Sequence, residues 1–442
     1  MTTPSPRLTV IGTGYLGATH AICMAILGFD VLGVDVDPVK IERLRSGEVP
    51  FFEPGLPELL AKALDSGRLR FTTSSEEAAE FGDVHFICVG TPQQKDSYAA
   101  DLTYVDSAVE SLARHLRRRA LVVGKSTVPV GTAARLTELV QRVAPAGTDV
   151  ELAWNPEFLR EGYAVEDTLR PDRLVFGTGS EWAEQQLRAA FAPVIAQDTP
   201  VVVTDLPTAE LVKVAANSFL ATKISYINAM AEVCEATGAD VTGLATALAY
   251  DDRIGGRFLK PGLGFGGGCL PKDIRAFTHR AEELGVGQAV AFLREVDGIN
   301  QRRRARTVDL VRELTGGELS GVRVTALGAA FKPNSDDIRD APALDVARSL
   351  HRSGAHVTVV DPAATENARR AFPELDYATD AMTAAVGADV VLLLTEWTQF
   401  REIDPHAMGE VVGRRRIVDG RHALDPAQWR AADWEYRALG RP

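Results

Sequence analysis

Leu8-Thr9-Val10-Ile11-Gly12-Thr13-Gly14-Tyr15-Leu16-Gly17 decides the fold. A short apolar run of strand length meets glycines in GxGxxG spacing, and a helical pattern follows. In a dinucleotide fold the first glycine permits the tight turn. The second lets the main chain approach a pyrophosphate, and the third lets helix and strand pack closely. The helix N-terminus then offers unpaired N–H groups to the phosphates. Asp35 ends the next apolar run, Val31-Leu32-Gly33-Val34. It stands about 20 residues on, where a carboxylate accepts from ribose hydroxyls and repels a 2′-phosphate. The set predicts a parallel α/β domain that binds NAD in preference to NADP.

Outward from this stretch, apolar runs at 84–89 and 121–123 continue the alternation of strand and helix. From about 208 to 237 no Gly or Pro interrupts an Ala-, Leu-, Lys- and Glu-rich pattern, which predicts one long helix of roughly 45 Å. Such a helix bridges domains or forms a subunit contact, or is simply a long core helix. Beyond Gly316 the alternation returns at 322–328, 357–361, 390–394 and 417–419, a weak internal repeat of the beginning. The expected fold is α/β, with two Rossmann-like doubly wound domains joined by the long helix and a helical dimerisation region. Expected bounds are 1–200, 201–310 and 311–442. Gly328-Ala329-Ala330-Phe331-Lys332 keeps one glycine of the first loop, so a second dinucleotide is not expected there. Lys332 either meets phosphates of another ligand or is an ordinary surface lysine.

The chain's 442 residues are 45% apolar and 24% charged, which excludes a disordered chain, a collagen-like fibre and a disulfide-stapled miniprotein. A formal net charge of −12 repels phosphate backbones, so no nucleic acid partner is expected. The basic run Arg302-Arg303-Arg304-Ala305-Arg306 reads as a solvated helix face. Cys23, Cys88, Cys234 and Cys269 form no CxxC pair, so no metal site or disulfide framework is expected, and reduced thiols fit a cytoplasmic protein. The first residues lack a signal-peptide pattern, and no apolar run approaches about 18 residues, so no membrane association is expected.

Five glycines, Gly262, Gly264, Gly266, Gly267 and Gly268, lead into Cys269, and Asp273 follows four residues later. Such density predicts close main-chain approach to a ligand. A thiol beside a helix start is favoured as thiolate, and Asp273 falls one turn on, on the same side. A buried structural Cys269 is the alternative. Lys213 and Asn217, spaced i, i+4 on the long helix, share a face and together donate to an oxyanion, or are a surface pair. The segments from Ser126 and from Asn155 follow strands and reach the carboxyl edge where ligands of such sheets bind.

In order along the chain stand GTGYLG, Phe52-Glu53-Pro54-Gly55-Leu56, Val89-Gly90-Thr91-Pro92, STVPVGT from Ser126 and NPEFLREG from Asn155. The Lys213–Asn217 helix, Asp252-Arg253-Ile254-Gly255, the glycine–cysteine loop, Phe331-Lys332-Pro333 and Asp336-Asp337-Ile338-Arg339 complete the series. The whole chain resembles the UDP-glucose 6-dehydrogenase branch of the nucleotide-sugar dehydrogenase family. The resemblance implies a four-electron oxidation of a primary alcohol to a carboxylate, with two NAD reduced in turn and Cys269 carrying a thiohemiacetal and then a thioester. It implies Lys213 and Asn217 on developing oxyanions, Asp273 in proton transfer beside Thr127, and Glu157 as base in thioester hydrolysis. The cofactor set it implies is Ile11, Gly12, Gly14, Tyr15, Leu16, Gly17, Asp35 and Lys40, then Gly90, Thr91, Pro92 and Thr127, with Glu161 and Arg339 on the nicotinamide side. The substrate set is Glu157, Phe158, Leu159, Arg160, Glu161, Lys213 and Asn217, then Phe258, Leu259, Lys260, Gly262 and Gly266. Phe331, Lys332 and Arg421 hold the nucleotide half, and Arg253 reaches a neighbouring subunit's substrate in a homodimer. The expected substrate is UDP-glucose, with GDP-mannose or a UDP-acetamido sugar as the alternative. The chain has Gly268 where many relatives have serine, and Leu270 where some have phenylalanine. A two-electron hydroxyacid dehydrogenase would need no Cys269, and a non-catalytic NADH sensor would need none of the polar set.

Overall fold

The computed structural model describes residues 5–441. The described chain forms two compact units. One runs to Ala216 and includes Glu282–Leu284; the other holds Asn217–Ala281 and everything from Gly285 on.

The first unit is built on eight strands: β1 (Leu8–Ile11), β2 (Val31–Val34), β3 (Leu69–Thr72), β4 (Val84–Ile87), β5 (Ala120–Gly124), β6 (Val150–Trp154), β7 (Leu174–Gly177) and β8 (Val201–Thr204). Their order is β3-β2-β1-β4-β5-β6-β7-β8. All neighbours are parallel except β6 and β7, which meet antiparallel at one bridge, Trp154 to Gly177. β1, β2, β4 and β5 are buried along their whole length, because helices cover both faces, and so they read as unbroken apolar runs. β3 and β8 escape such reading. Arg70 is exposed within β3, and β8 at the sheet edge leaves Val202 and Val203 in solvent. The order reverses between β1 and β4, which opens a crevice at the carboxyl ends of those strands.

The second unit repeats the plan with β9 (Arg323–Leu327), β10 (His356–Val360), β11 (Asp376–Tyr377), β12 (Val390–Leu393), β13 (Arg416–Asp419) and β14 (Glu435–Ala438). The order β11-β10-β9-β12-β13-β14, parallel throughout, is that of the first six strands of the other sheet. The internal repeat is therefore one of topology.

The long helix runs Leu206–Thr237. Asp205 starts it by accepting the Thr208 N–H at 2.7 Å, and Pro207 fits the first turn, whose N–H has no helical partner. A second long helix, Phe292–Thr315, carries the basic run, and here the sequence expectation fails. Arg303 and Arg304 are buried, at 1% and 5% exposure. Arg303 meets Glu235 at 2.9 Å, and Arg304 meets Asp340 at 2.8 Å and also Asp345. A run of like charge identifies a solvated face only when no carboxylates are brought to it by distant parts of the chain.

Candidate active site

The first and third glycines of the loop act as the spacing predicts. Gly12 has φ +90°, and a Cβ there would lie 2.7 Å from the Val89 side chain. A Cβ on Gly17 would lie 1.7 Å from the Gly12 carbonyl oxygen, so helix and turn touch. A Cβ on Gly14 would meet nothing within 4 Å, and Gly14 begins the helix Tyr15–Ile26 with no side-chain cap. Open space at an uncapped helix N-terminus fits a pyrophosphate. Asp35 is 8% exposed. Its Oδ2 accepts from the Thr13 N–H, the Thr13 hydroxyl and Lys40 Nζ, while Oδ1 takes only the Asp37 N–H. Burial pushes this carboxyl up, but Lys40 and the two amides outweigh it and hold it below its usual range. Oδ1 thus has room for a ribose hydroxyl, and the residues present fit NAD.

Around this loop the strand-end segments are joined by hydrogen bonds. The Thr91 hydroxyl donates to the Thr127 carbonyl at 2.8 Å. The Tyr15 hydroxyl donates to Glu53, a buried acid that also accepts from the N–H groups of Gly162 and Ala164, both at 2.7 Å. Glu53 therefore ties GTGYLG to the NPEFLREG segment and starts the helix Ala164–Leu169. Glu157 pairs with Lys213 Nζ at 3.0 Å and accepts the Leu159 N–H at 2.6 Å. Lys213 Nζ also lies 5.6 Å from the centroid of the Phe158 ring. The Arg160 guanidinium forks onto Asp167.

In the second unit Cys269 is exposed while Cys23, Cys88 and Cys234 are buried. Burial pushes the thiols of Cys23 and Cys88 up to about 12, so neither ionises near neutrality. Cys269 immediately precedes the helix Leu270–Glu283, and its carbonyl accepts the Asp273 N–H at 2.9 Å. A thiolate is favoured at such an N-terminus. Asp273 is 1% exposed, accepts from Asn217 Nδ2 at 2.7 Å, and pairs with Lys272 Nζ at 2.5 Å.

The glycines before Cys269 lie close against protein. A Cβ on Gly264 would lie 2.2 Å from Asn300 Oδ1, one on Gly266 2.3 Å from the Asp340 carbonyl, and one on Gly268 2.2 Å from the guanidinium carbon of Arg339. Two buried helix asparagines hold the loop. Asn228 Oδ1 accepts the Gly262 N–H at 2.9 Å. Asn300 accepts the Phe265 N–H at 2.7 Å and donates to its carbonyl at 2.9 Å. Sequence reading missed both. The available signal was an asparagine inside an otherwise regular helix, where its propensity is poor and its amide needs a partner.

Arg421 donates to the carbonyls of Leu394, Gly264 and Phe331 at 2.7, 3.0 and 3.2 Å, which makes it a brace for the two loops. Lys332 Nζ lies 5.3 Å from the Phe331 ring centroid, and Arg339 forks onto Asp337. Arg253 is 89% exposed and held by Asp251; Lys260 is exposed and Leu259 buried. At the turn after β9, Asp361 accepts the N–H groups of Ala329, Ala330, Ala363 and Ala364 and the Trp397 indole. Among the described residues no helix is long and apolar enough to cross a membrane, and no cluster of His, Cys, Asp or Glu is arranged to hold a metal.

Three sequence models of one family match in chain order. They are the NAD binding domain of the UDP-glucose/GDP-mannose dehydrogenase family over residues 6–195, its central domain over 207–302 and its UDP binding domain over 325–426. A UDP-glucose 6-dehydrogenase of Rhizobium meliloti is 40% identical over 438 residues, covering 99% of this chain and 100% of that protein. One from Pseudomonas aeruginosa is 40% identical over 445 residues, covering 99% and 98%. Among solved structures, a UDP-glucose dehydrogenase from Pyrobaculum islandicum superposes with a TM-score of 0.91 at 39% identity, covering 100% of both chains. A UDP-D-ManNAc dehydrogenase from Pyrococcus horikoshii gives 0.86 at 27% identity, covering 98% and 99%. With the glycine loop, the thiol at a helix start and the paired acids all in family order, the chain belongs to the UDP-glucose/GDP-mannose dehydrogenase family.

Proposed function

We propose that the protein oxidises UDP-glucose to UDP-glucuronate in an NAD-dependent four-electron reaction. The observation that carries the reading is the environment of Cys269: the exposed thiol among four, at a helix N-terminus, one turn from a buried Asp273 held by Asn217. A two-electron dehydrogenase has no use for such a thiol. The glucose sugar is favoured by full-length relatives of that name at 40% identity, against 27% for the acetamido-sugar enzyme.

NAD, held by the GTGYLG turn, Asp35 and Lys40, supplies the hydride acceptor for both oxidations. The chain's own groups do the rest. In the first oxidation Asp273 takes up the alcohol's proton; the Cys269 thiolate Sγ then bonds to the aldehyde carbon, and that proton passes to the aldehyde oxygen. Lys213 and Asn217 donate to that oxygen as charge develops on it. In the second oxidation the hydroxyl proton returns to Asp273. The second oxidation leaves a thioester on sulfur. Water then adds to the acyl carbon, Glu157 takes its proton, and the carbon–sulfur bond breaks to return the thiolate. In sum, alcohol, water and two NAD⁺ give carboxylate, two NADH and three protons. Arg421 braces the loops that carry Phe331 and Lys332 at the nucleotide end.

The division into a cofactor part (1–200), a central helical part (201–310) and a nucleotide-sugar part (311–442) belongs to the same reading, as does a reducing, cytoplasmic setting for four free thiols. So does a homodimer. Phe219, Tyr226 and Val233 are half or more exposed, at 67%, 50% and 52%, and recur every seven residues on the long helix. Such a stripe suits a second copy of the helix. Arg253 then reaches the neighbour's substrate.

The test is the yield of NADH per mole of UDP-glucose, with the product identified. Two NADH and the uronate are expected. One NADH, or turnover confined to GDP-mannose or a UDP-acetamido sugar, overturns the reading. Cys269→Ser is expected to bind NAD and release no acid; full activity in that variant removes the thioester route.

A further inference from the structure

Beneath the first sheet's carboxyl edge lies a charge that the reaction does not use. Lys125 directly follows β5 and is 6% exposed. Its Nζ donates to Asn155 Oδ1 at 2.8 Å. The rings of Phe86 and Phe191 flank it, with centroids at 5.8 and 5.5 Å. His20 and Cys88 are its titratable neighbours, and Glu157 is the carboxylate that its charge senses. A buried ammonium with one hydrogen bond and no carboxylate bonded to it costs folding free energy that an apolar side chain would not.

What the lysine holds gives that cost a purpose. Asn155 directly follows β6, is 1% exposed, and its Nδ2 donates to the Val175 carbonyl in β7 at 2.9 Å. This is the seam where the main-chain ladder has a single antiparallel bridge. Lys125, Asn155 and Val175 thus link the ends of three neighbouring strands by side-chain bonds. Two residues beyond Lys125 stands Thr127, and two beyond Asn155 stands Glu157. Both segments are pinned further on: the Ser126 hydroxyl donates to the Val89 carbonyl at 2.6 Å, and Glu157 pairs with Lys213.

We propose that Lys125 is a positioning residue for the hydrolytic half of the reaction, setting through Asn155 the two strand-end segments that carry Thr127 and Glu157. The inference rests on the four-electron reading. It deepens that reading by assigning to a residue outside the reacting set control over the step at which Glu157 acts. Losing the bond frees the Glu157 segment while leaving the glycine loop and Cys269 untouched. The thioester then forms and fails to hydrolyse.

The experiment compares the parent enzyme with Lys125→Met and Asn155→Ala by rapid-mixing kinetics with NAD and UDP-glucose, and by intact mass of the quenched enzyme. The expected result is an NAD dissociation constant that moves far less than the steady rate, as Lys125 and Asn155 bond to neither the glycine loop nor Asp35. A burst of two NADH per site is expected, then a steady rate reduced by up to ~10²-fold, the scale of an ångström misplacement. A uronyl adduct on Cys269 should accumulate. Should Lys125→Met fail to fold, Asn155→Ala, which keeps the lysine, carries the same prediction. Folded variants that turn over like the parent, or that lose burst and steady rate together with no adduct, overturn the inference. A parent that yields no NADH from UDP-glucose overturns the functional reading, and the inference with it.

Discussion

Asn300→Ala isolates the hold on the thiol loop. Asn300 is fully buried and grips the main chain of Phe265 at both its N–H and its carbonyl. Truncation strands the Phe265 N–H, whereas its carbonyl keeps a bond from Arg304 at 3.1 Å. A stranded buried donor costs ~1–3 kcal/mol. Alanine returns up to ~0.7 kcal/mol of helix propensity, and the void left by the amide takes back a similar amount. The net loss is ~1–3 kcal/mol. At ~2–4 °C per kcal/mol for a body of 150–250 residues, the second unit's melting midpoint falls by roughly 2–12 °C. Turnover falls by ~10-fold or more, because the loop ends at Cys269 and small displacements of a nucleophile are costly. Differential scanning calorimetry reads the first effect and NADH production the second, with NAD affinity as the unmoved control. Asn300→Asp sharpens the test, since it keeps an acceptor for the Phe265 N–H but sets an oxygen against the Phe265 carbonyl, so it should be worse than alanine. A midpoint within ~1 °C of the parent together with unchanged turnover would refute the argument that this residue shapes the loop.

Asp35→Ala removes the acceptor proposed for the ribose and leaves Lys40 without its partner, so NAD binding should weaken by ~1–3 kcal/mol in calorimetric titration, with less preference against NADP. Lys125 makes stability depend on pH in an unusual direction. Burial lowers its pKa to about 8 from 10.5 in the open chain. Between those values the unfolded state holds more protons, so stability rises as pH climbs from about 8 to about 10.5, by a contribution of ~3 kcal/mol at full effect. Lys125→Met should abolish that rise in urea titrations across the range, and an identical pH profile in both proteins would contradict it. Tyr226→Glu places a charge in the exposed heptad stripe of the long helix. Sedimentation should show a dimer for the parent and a monomer for the variant, and equal assembly in both would argue for a different contact.

Several elements were legible because their chemistry is local. GxGxxG between a strand and a helix specifies its own turn, and Gly12 and Gly17 make the turn and the close helix packing that their spacing assigns. The long helix was readable because nothing interrupts 208–237, and Asp205 with Pro207 marks its start. Cys269 stood apart because five glycines lead into it, and of the four cysteines it is the exposed one. The edge strands β3, β8, β11 and β14 were not read, since short segments with one polar face or an open edge carry little periodicity, and β7, though buried, is only four residues long.

What the sequence determined by itself was the kind of each local piece: a pyrophosphate turn, a thiol at a helix start, strand–helix repeats. Hydrogen-bond geometry within a few residues is enough for those. Tertiary structure alone decided who meets whom. It buried Arg303 and Arg304 against Glu235, Asp340 and Asp345, set glycines against Asn300 and Arg339, and placed Lys125 beneath Asn155. Whether a charge is solvated or a glycine faces a ligand depends on groups tens to hundreds of residues away, and only the folded chain brings their fields and surfaces within reach.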